Sequence, residues 1–131
     1  TLIRGNSKIK RTIKGVESIK WSKKFEELLA ASKIIISEAG YFTMLDLINH
    51  NKSAIFIPGQ RRIDNQELRA LTLEDIGLGK TFFQFEKKQK MAELINMFLN
   101  SSNENTSKFT AIKKKFDKHA ELISVVRREL I

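Results

Sequence analysis

A chain of 131 residues, 41% of them apolar, is long enough to build one ordinary hydrophobic core. No run approaches the roughly 18 apolar residues of a membrane span, and the absence of cysteine excludes disulfides and thiol chemistry. The net charge of +9 sits at the two ends: residues 1–24 carry eight basic residues against one acidic, residues 108–131 seven against three, and residues 25–107 nine against eleven. Basic ends on a near-neutral body suit solubility, an acidic partner or peripheral contact with an anionic membrane surface. With no recognition module beside them they do not describe a nucleic-acid binder. The chain opens on Thr1 rather than Met, so the expectation is a piece of a longer polypeptide.

In chain order, residues 1–15 alternate weakly at Ile9, Arg11 and Ile13, with Gly5 and Gly15 marking turns. Val16–Trp21 alternates as a short strand would. Ser22 is a natural N-cap for a helix carrying Phe25, Leu28 and Leu29, with Glu26 and Glu27 in its first turn. Ile34–Ile36 reads as a strand, Tyr41–His50 as a helix with Phe42, Leu45 and Ile48 on one side, and Ala54–Ile57 as the next strand, stopped by Pro58-Gly59. Gln60–Ile63 is a polar, basic loop. Asp64 or Asn65 caps a helix to about Glu74, with Leu68, Leu71 and Leu73 inward, and residues 75–79 end it. Thr81–Phe85 suits a short edge strand. Glu86–Asn100 is an amphipathic helix with Met91, Leu94, Ile95, Phe98 and Leu99 on one stripe. Residues 101–107 form a polar linker. The final segment, 108–131, is a basic amphipathic helix with Phe109, Ile112, Phe116, Ile123, Val126 and Leu130 at steps of three and four, and His119 at the missing step.

Strands joined through helices, without hairpin signals, define an α/β chain with a parallel sheet flanked by helices. The expected organisation is an α/β domain over residues 1–100, the linker, and the C-terminal helix. Ligands of such sheets bind beyond the carboxyl ends of the strands. Those ends carry Trp21-Ser22, Ser37–Thr43 and Pro58–Asp64. The turn of Ser37, Ala39 and Gly40 feeds straight into a helix N-terminus, a natural seat for an anion.

The residues Ile36-Ser37-Glu38-Ala39-Gly40-Tyr41-Phe42-Thr43-Met44-Leu45-Asp46, then Lys52–Pro58, then Asn65-Gln66-Glu67-Leu68-Arg69-Ala70 and Gly77, follow one another in order and spacing as in a known pattern. Over residues 16–100 the chain resembles the C-terminal half of a GT-B nucleotide-sugar glycosyltransferase. The resemblance is to family 28, which includes the N-acetylglucosaminyltransferase that makes lipid II and the catalytic subunit of the dolichol-pathway UDP-N-acetylglucosamine transferase. It implies a Rossmann-like half-molecule holding a UDP-sugar donor. Backbone amides of Tyr41, Phe42 and Thr43 would cradle the diphosphate beside Gly40 and Ser37, with the Thr43 hydroxyl adding a donor. Asp46, where the family carries Glu, would meet the ribose. Gln66, with Asn65 beside it, would meet the sugar or phosphate, and Arg69 stands where the family has Asn. Trp21 and Ser22 would flank and read the base.

The resemblance also implies that the general base and acceptor site belong to an N-terminal domain or partner subunit, so that this part alone would not catalyse transfer. The Gly-Gly-Ser-type loop of the family is absent. The final helix is a candidate to dock on that other half. No cofactor or metal is expected: there is no Asp-x-Asp motif, P-loop or Cys/His cluster, and the family stabilises the departing diphosphate with amides and a helix dipole. A cytoplasmic, membrane-peripheral location fits this class.

Structural alternatives stand beside these roles. Gly40 serves equally as a strand-to-helix turn, Asp46 as a solvated helix residue, Trp21 as core, and Asn65 and Gln66 as helix caps. Arg61 and Arg62 read as solvent-facing, His50 as a C-cap and His119 as a surface or seam residue. Asp for Glu and Arg for Asn keep open a non-catalytic α/β binding or regulatory domain, or a nucleotide-sugar epimerase or hydrolase on the same scaffold.

Overall fold

The computed structural model describes residues 1–3, 13–101, 107–115 and 117. The expected alternation through Ile9 and Arg11, most of the polar linker, and Phe116, His119, Ile123, Val126 and Leu130 of the final stripe lie outside the described residues. The chain divides into two compact units, Thr1–Ala31 and Ser32–Ile131.

In the first unit, β1 (Leu2–Ile3) pairs in parallel with β2 (Ser18–Ile19). Among the described residues, the strand expected over Val16–Trp21 pairs only at Ser18 and Ile19. Helix α1 (Phe25–Ala31) follows, with Glu26 and Glu27 in its first turn and Leu29 buried. Ser22 stands two residues before the N-cap position, which Lys24 takes with its carbonyl accepting from Leu28; the Ser22 Oγ accepts from the Lys24 amide at 3.0 Å in the turn that leads in.

In the second unit β3 (Ile36–Ser37), β4 (Ala54–Phe56) and β5 (Gly79–Thr81) form a parallel sheet in that order, with α2 (Tyr41–Asn49) and α3 (Gln66–Asp75) as the crossovers. β4 is the centre, and all three of its residues are buried. An all-apolar run is what a strand covered on both faces requires. β5 begins two residues before the strand expected at Thr81 and ends there. Its Phe82 N–H still reaches the Phe56 carbonyl at 2.8 Å, after which the chain turns away. Gly79 allows this pairing: a Cβ there would come within 2.4 Å of the Ala54 carbonyl oxygen and 2.5 Å of the Phe56 ring. The Thr81 N–H is taken by the Glu74 carboxylate at 2.8 Å, so α3 closes that part of the strand edge.

The helices face the core on stripes slightly rotated from those expected. α2 turns Leu47 and Ile48 inward and leaves Phe42 79% exposed. α3 buries Gln66, Ala70 and Leu73, spaced four and three apart on one face, and leaves Leu68 and Leu71 outside. Ala70, fully buried, takes the inward position in place of the expected leucines. α3 ends in a Schellman motif: Gly77 has φ 76°, its amide bonds to the Glu74 carbonyl, and the Leu78 amide bonds back to the Leu73 carbonyl at 2.8 Å. Helix α4 (Lys88–Asn100) half-buries Met91, Leu94, Ile95 and Phe98 as its stripe predicts, while Leu99 is exposed. A fifth helix, α5, covers 107–115 and 117.

Phe109 of α5 is 1% exposed and lies among Leu47, Ile48, Phe56, Leu73 and Leu78. Lys113 of the same helix donates to the Asn49 carbonyl and to Asn51 Oδ1, both at 2.9 Å, where α2 ends and Asn51 takes φ 53°. A cation there complements the negative end of the helix dipole. The start of the final helix is thus part of this unit's core. Among the described residues no helix is long and apolar enough to cross a membrane.

Two substitutions test this packing in urea denaturation. Phe109→Ala should cost roughly 3–5 kcal/mol, the usual range for emptying a buried aromatic site. Gly79→Ala should cost about 3 kcal/mol through the forced clash with Ala54 and Phe56. Leu68→Ala, on the solvent side, should stay within about 0.5 kcal/mol of the parent.

Candidate functional site

Three parallel strands end on one edge of the second unit, and the segments leaving them differ in how their polar groups are used. After β3 comes Glu38-Ala39-Gly40 and the start of α2. The first N–H groups of a helix have no partner within it. At α2 the N-cap is Gly40, which offers no side chain, and no acidic residue stands in the first turn. The Tyr41, Phe42 and Thr43 amides therefore have no partner among the described residues. A Cβ on Gly40 would meet only Thr43 Oγ1, at 3.6 Å, and φ is an ordinary −67°. Among the described residues nothing demands glycine there; what glycine provides is unobstructed space above the amides.

α3 is built the opposite way. Asn65 is its N-cap, its side chain accepting from the Leu68 amide at 3.0 Å, and Glu67 stands in the first turn. One helix start is closed by its own residues and the other is left open.

The two loops are fastened to each other. Gln66 is 4% exposed; its Oε1 accepts from the Gly59 amide at 2.8 Å and its Nε2 donates to Glu38 Oε2 at 3.2 Å. Arg61 donates to the same Glu38 oxygen at 2.9 Å. Arg69 donates to the Ala39 carbonyl at 2.5 Å and to Asp64 Oδ1 at 2.6 Å. The Arg61 guanidinium holds the Glu38 carboxyl below its ordinary range against the opposing effect of burial, and Arg69 does the same for Asp64. Glu74 is pushed up by burial but pulled down further by the hydrogen bonds from Lys80 and Thr81.

The predicted site residues fall into three groups. Ser37, Gly40, Tyr41, Phe42, Thr43 and Asp46 lie at the end of β3 and along α2. Tyr41 and Phe42 are exposed, their rings in edge contact at 5.8 Å. Asp46 is half-buried one turn into α2, and its carboxylate has no hydrogen bond to a described residue. Asn65, Gln66 and Arg69 lie on the next crossover, with their side chains engaged within the protein. Trp21 and Ser22 belong to the first unit; Trp21 is 70% exposed, so it is not core, and it stacks on Phe25 at 6.2 Å. Beside the second loop, Pro58–Glu67 and Phe83–Phe85 line an open cleft of about 640 Å³.

Sequence reasoning gave Glu38 no role of its own, offered Asp64 only as an alternative helix cap to Asn65, and read Arg61 as solvent-facing. Glu38 and Arg61 are 23 residues apart, on loops brought together only by the fold, whereas Asp64 meets Arg69 locally, five residues on across the start of α3. Among the described residues no group of three or more His, Asp or Glu side chains is placed to hold a metal ion.

A parallel sheet with an open helix N-terminus at its carboxyl edge defines a Rossmann-like half-molecule of the nucleotide-binding kind. The family model described as the glycosyltransferase family 28 C-terminal domain matches residues 4–124, and the chain belongs to that family. The fold is also similar to that of a solved structure described as the glycotransferase of kitacinnamycin, with a TM-score of 0.67 at 10% sequence identity. That match covers 86% of this chain and 29% of the other, so the chain spans under a third of that glycosyltransferase's length. No curated protein sequence matches the chain.

The fastening makes two measurable demands. Gln66→Ala would leave the Gly59 amide unpaired and the Glu38 carboxylate short of a donor; it should cost about 2 kcal/mol in urea denaturation. Glu38, Asp64 and Glu74 titrate below their ordinary values of 4.5, 3.8 and 4.5, so the stability they contribute is present above those values and is lost as pH falls through the lowered ones. Urea midpoints should decline below about pH 4.5, and Glu74→Gln should flatten that decline.

Proposed function

We propose that this domain binds the UDP-sugar donor of a metal-independent GT-B glycosyltransferase that transfers a hexosyl group to an acceptor. The observation that carries the reading is the uncapped α2 start at the carboxyl edge of a family 28 C-terminal domain. A diphosphate placed there meets the amides of Tyr41, Phe42 and Thr43 and the positive end of the helix dipole. Both are fixed before the ligand arrives and can stabilise the charge that develops as the sugar leaves. Thr43 adds a hydroxyl. Asp46, one turn further on, is within the same helix for a ribose contact. Asn65, Gln66 and Arg69 serve the donor by holding the loops that frame it. A base contact at Trp21 and Ser22 rests on the resemblance alone. The general base and the acceptor site come from an N-terminal half or a partner subunit, as in the lipid II and dolichol-pathway enzymes.

One observation favours a second reading. The Gln66 amide and the Arg69 guanidinium both spend hydrogen bonds inside the protein. A binding or regulatory domain that keeps the fold without transfer would look the same.

Calorimetry of the full-length protein with UDP and ADP separates the possibilities. The donor reading expects UDP to bind in preference to ADP. Asp46→Ala should weaken UDP about tenfold, as loss of a hydrogen-bonded carboxylate does, and Gly40→Val should abolish binding while leaving the urea midpoint unchanged. UDP-sugar hydrolysis or transfer by the same protein distinguishes the enzyme from the binding domain. Absence of UDP binding at millimolar concentration overturns both the donor assignment and the transferase.

A further inference from the structure

Arg61 is the exposed cation of the carboxyl edge that the protein itself orients. It stands on the loop leaving β4, and its guanidinium donates at 2.9 Å to Glu38, two residues before the Gly40 cap of α2. The pair is not a casual surface contact. The Glu38 oxygen that receives Arg61 also receives the amide of Gln66, a buried side chain locked at its other end by Gly59. Glu38 is thereby held from two sides, and it holds Arg61 in turn. Arg62, next in the chain, has no ion-pair or hydrogen-bond partner among the described residues.

A guanidinium carries five N–H donors in a planar fork. Only one contact of Arg61 is to Glu38, and its side chain remains 58% exposed, so donors are left for a ligand. The first turn of α2 offers amides but carries no cation of its own, and the Arg69 guanidinium nearby is already engaged by the Ala39 carbonyl and Asp64. A diphosphate bound by amides alone would keep most of its negative charge uncompensated, and the planar fork matches phosphate oxygens in a way a point charge does not.

We infer that Arg61 is a phosphate-contacting residue of the donor site and that Glu38 is the positioning residue that holds its guanidinium beside the α2 N-terminus. The inference rests on the donor reading above and adds to it a side-chain cation. No bond is made or broken at this pair; Arg61 keeps Glu38 through one nitrogen and gives the others to the phosphate. Because Glu38 neutralises Arg61 in the empty site, the cation is oriented without raising the charge of the loop.

The test is UDP titration of the full-length protein as wild type, Arg61→Ala, Arg61→Lys, Glu38→Gln and the Arg61→Ala/Glu38→Gln double variant, with urea midpoints measured in parallel. Arg61→Ala should weaken UDP about tenfold, the effect of one charge-assisted hydrogen bond, with Arg61→Lys recovering part of it and the midpoint little changed. Glu38→Gln should weaken UDP by a smaller factor in the wild type and not at all once Arg61 is gone, since it acts through Arg61. Equal UDP affinity in wild type and Arg61→Ala overturns the phosphate contact while leaving the donor reading intact. An equal cost of Glu38→Gln in both backgrounds overturns the positioning role. Failure of the wild type to bind UDP overturns the donor reading, and this inference with it.

Discussion

The buried amide of Gln66 is the constraint on which the carboxyl edge of the larger unit depends. It is a polar side chain in a nearly solvent-free position, and it is tolerable there because both ends are used. In a low-dielectric setting such bonds are directional and hard to replace with water. One end fixes the loop after β4 at Gly59; the other fixes Glu38 in the loop after β3. Arg69, one helical turn along, repeats the tie through Ala39 and Asp64. Two loops that are far apart in the chain are thus set at a defined spacing.

That rigidity matters because of what stands beside it. α2 begins with free amides and an unobstructed approach, whereas α3 is closed by Asn65. The difference does not come from stability: an uncapped helix is weaker by about 1 kcal/mol than one with a good cap. An open start held still by neighbouring loops is a preorganised dipole, and its value lies in needing little rearrangement when charge arrives. In the donor site proposed for this family 28 domain, that open start would receive the charge of the departing diphosphate.

The unit also draws on the far end of the described chain for its core. Phe109 fills the space between α2, β4 and α3, and Lys113 caps the end of α2. The beginning of the basic final helix is therefore occupied within the unit.

Much of this was legible in the sequence. The alternation of short β-branched runs with helix-length segments gave the parallel α/β order, because a strand covered on both faces must be apolar throughout and a crossover needs a dozen residues or so. Asn65 and Gly77 announced helix ends, since caps act on their own neighbours. The motif from Ser37 to Asp46 placed the candidate site for the same reason: its geometry is local. What the tertiary structure alone decided was everything that depends on elements meeting. Which face of α2 and α3 turns inward, with Phe42, Leu68 and Leu71 left outside, was set by how the helices pack in the unit rather than by their apolar spacing alone. The start of β5 was set by Gly79 fitting against Ala54 and Phe56. The pairing of Glu38 with Arg61, and the burial of Gln66 between them, could not be read from residues 23 and 28 positions apart, because no periodicity links them until the fold brings their strands side by side.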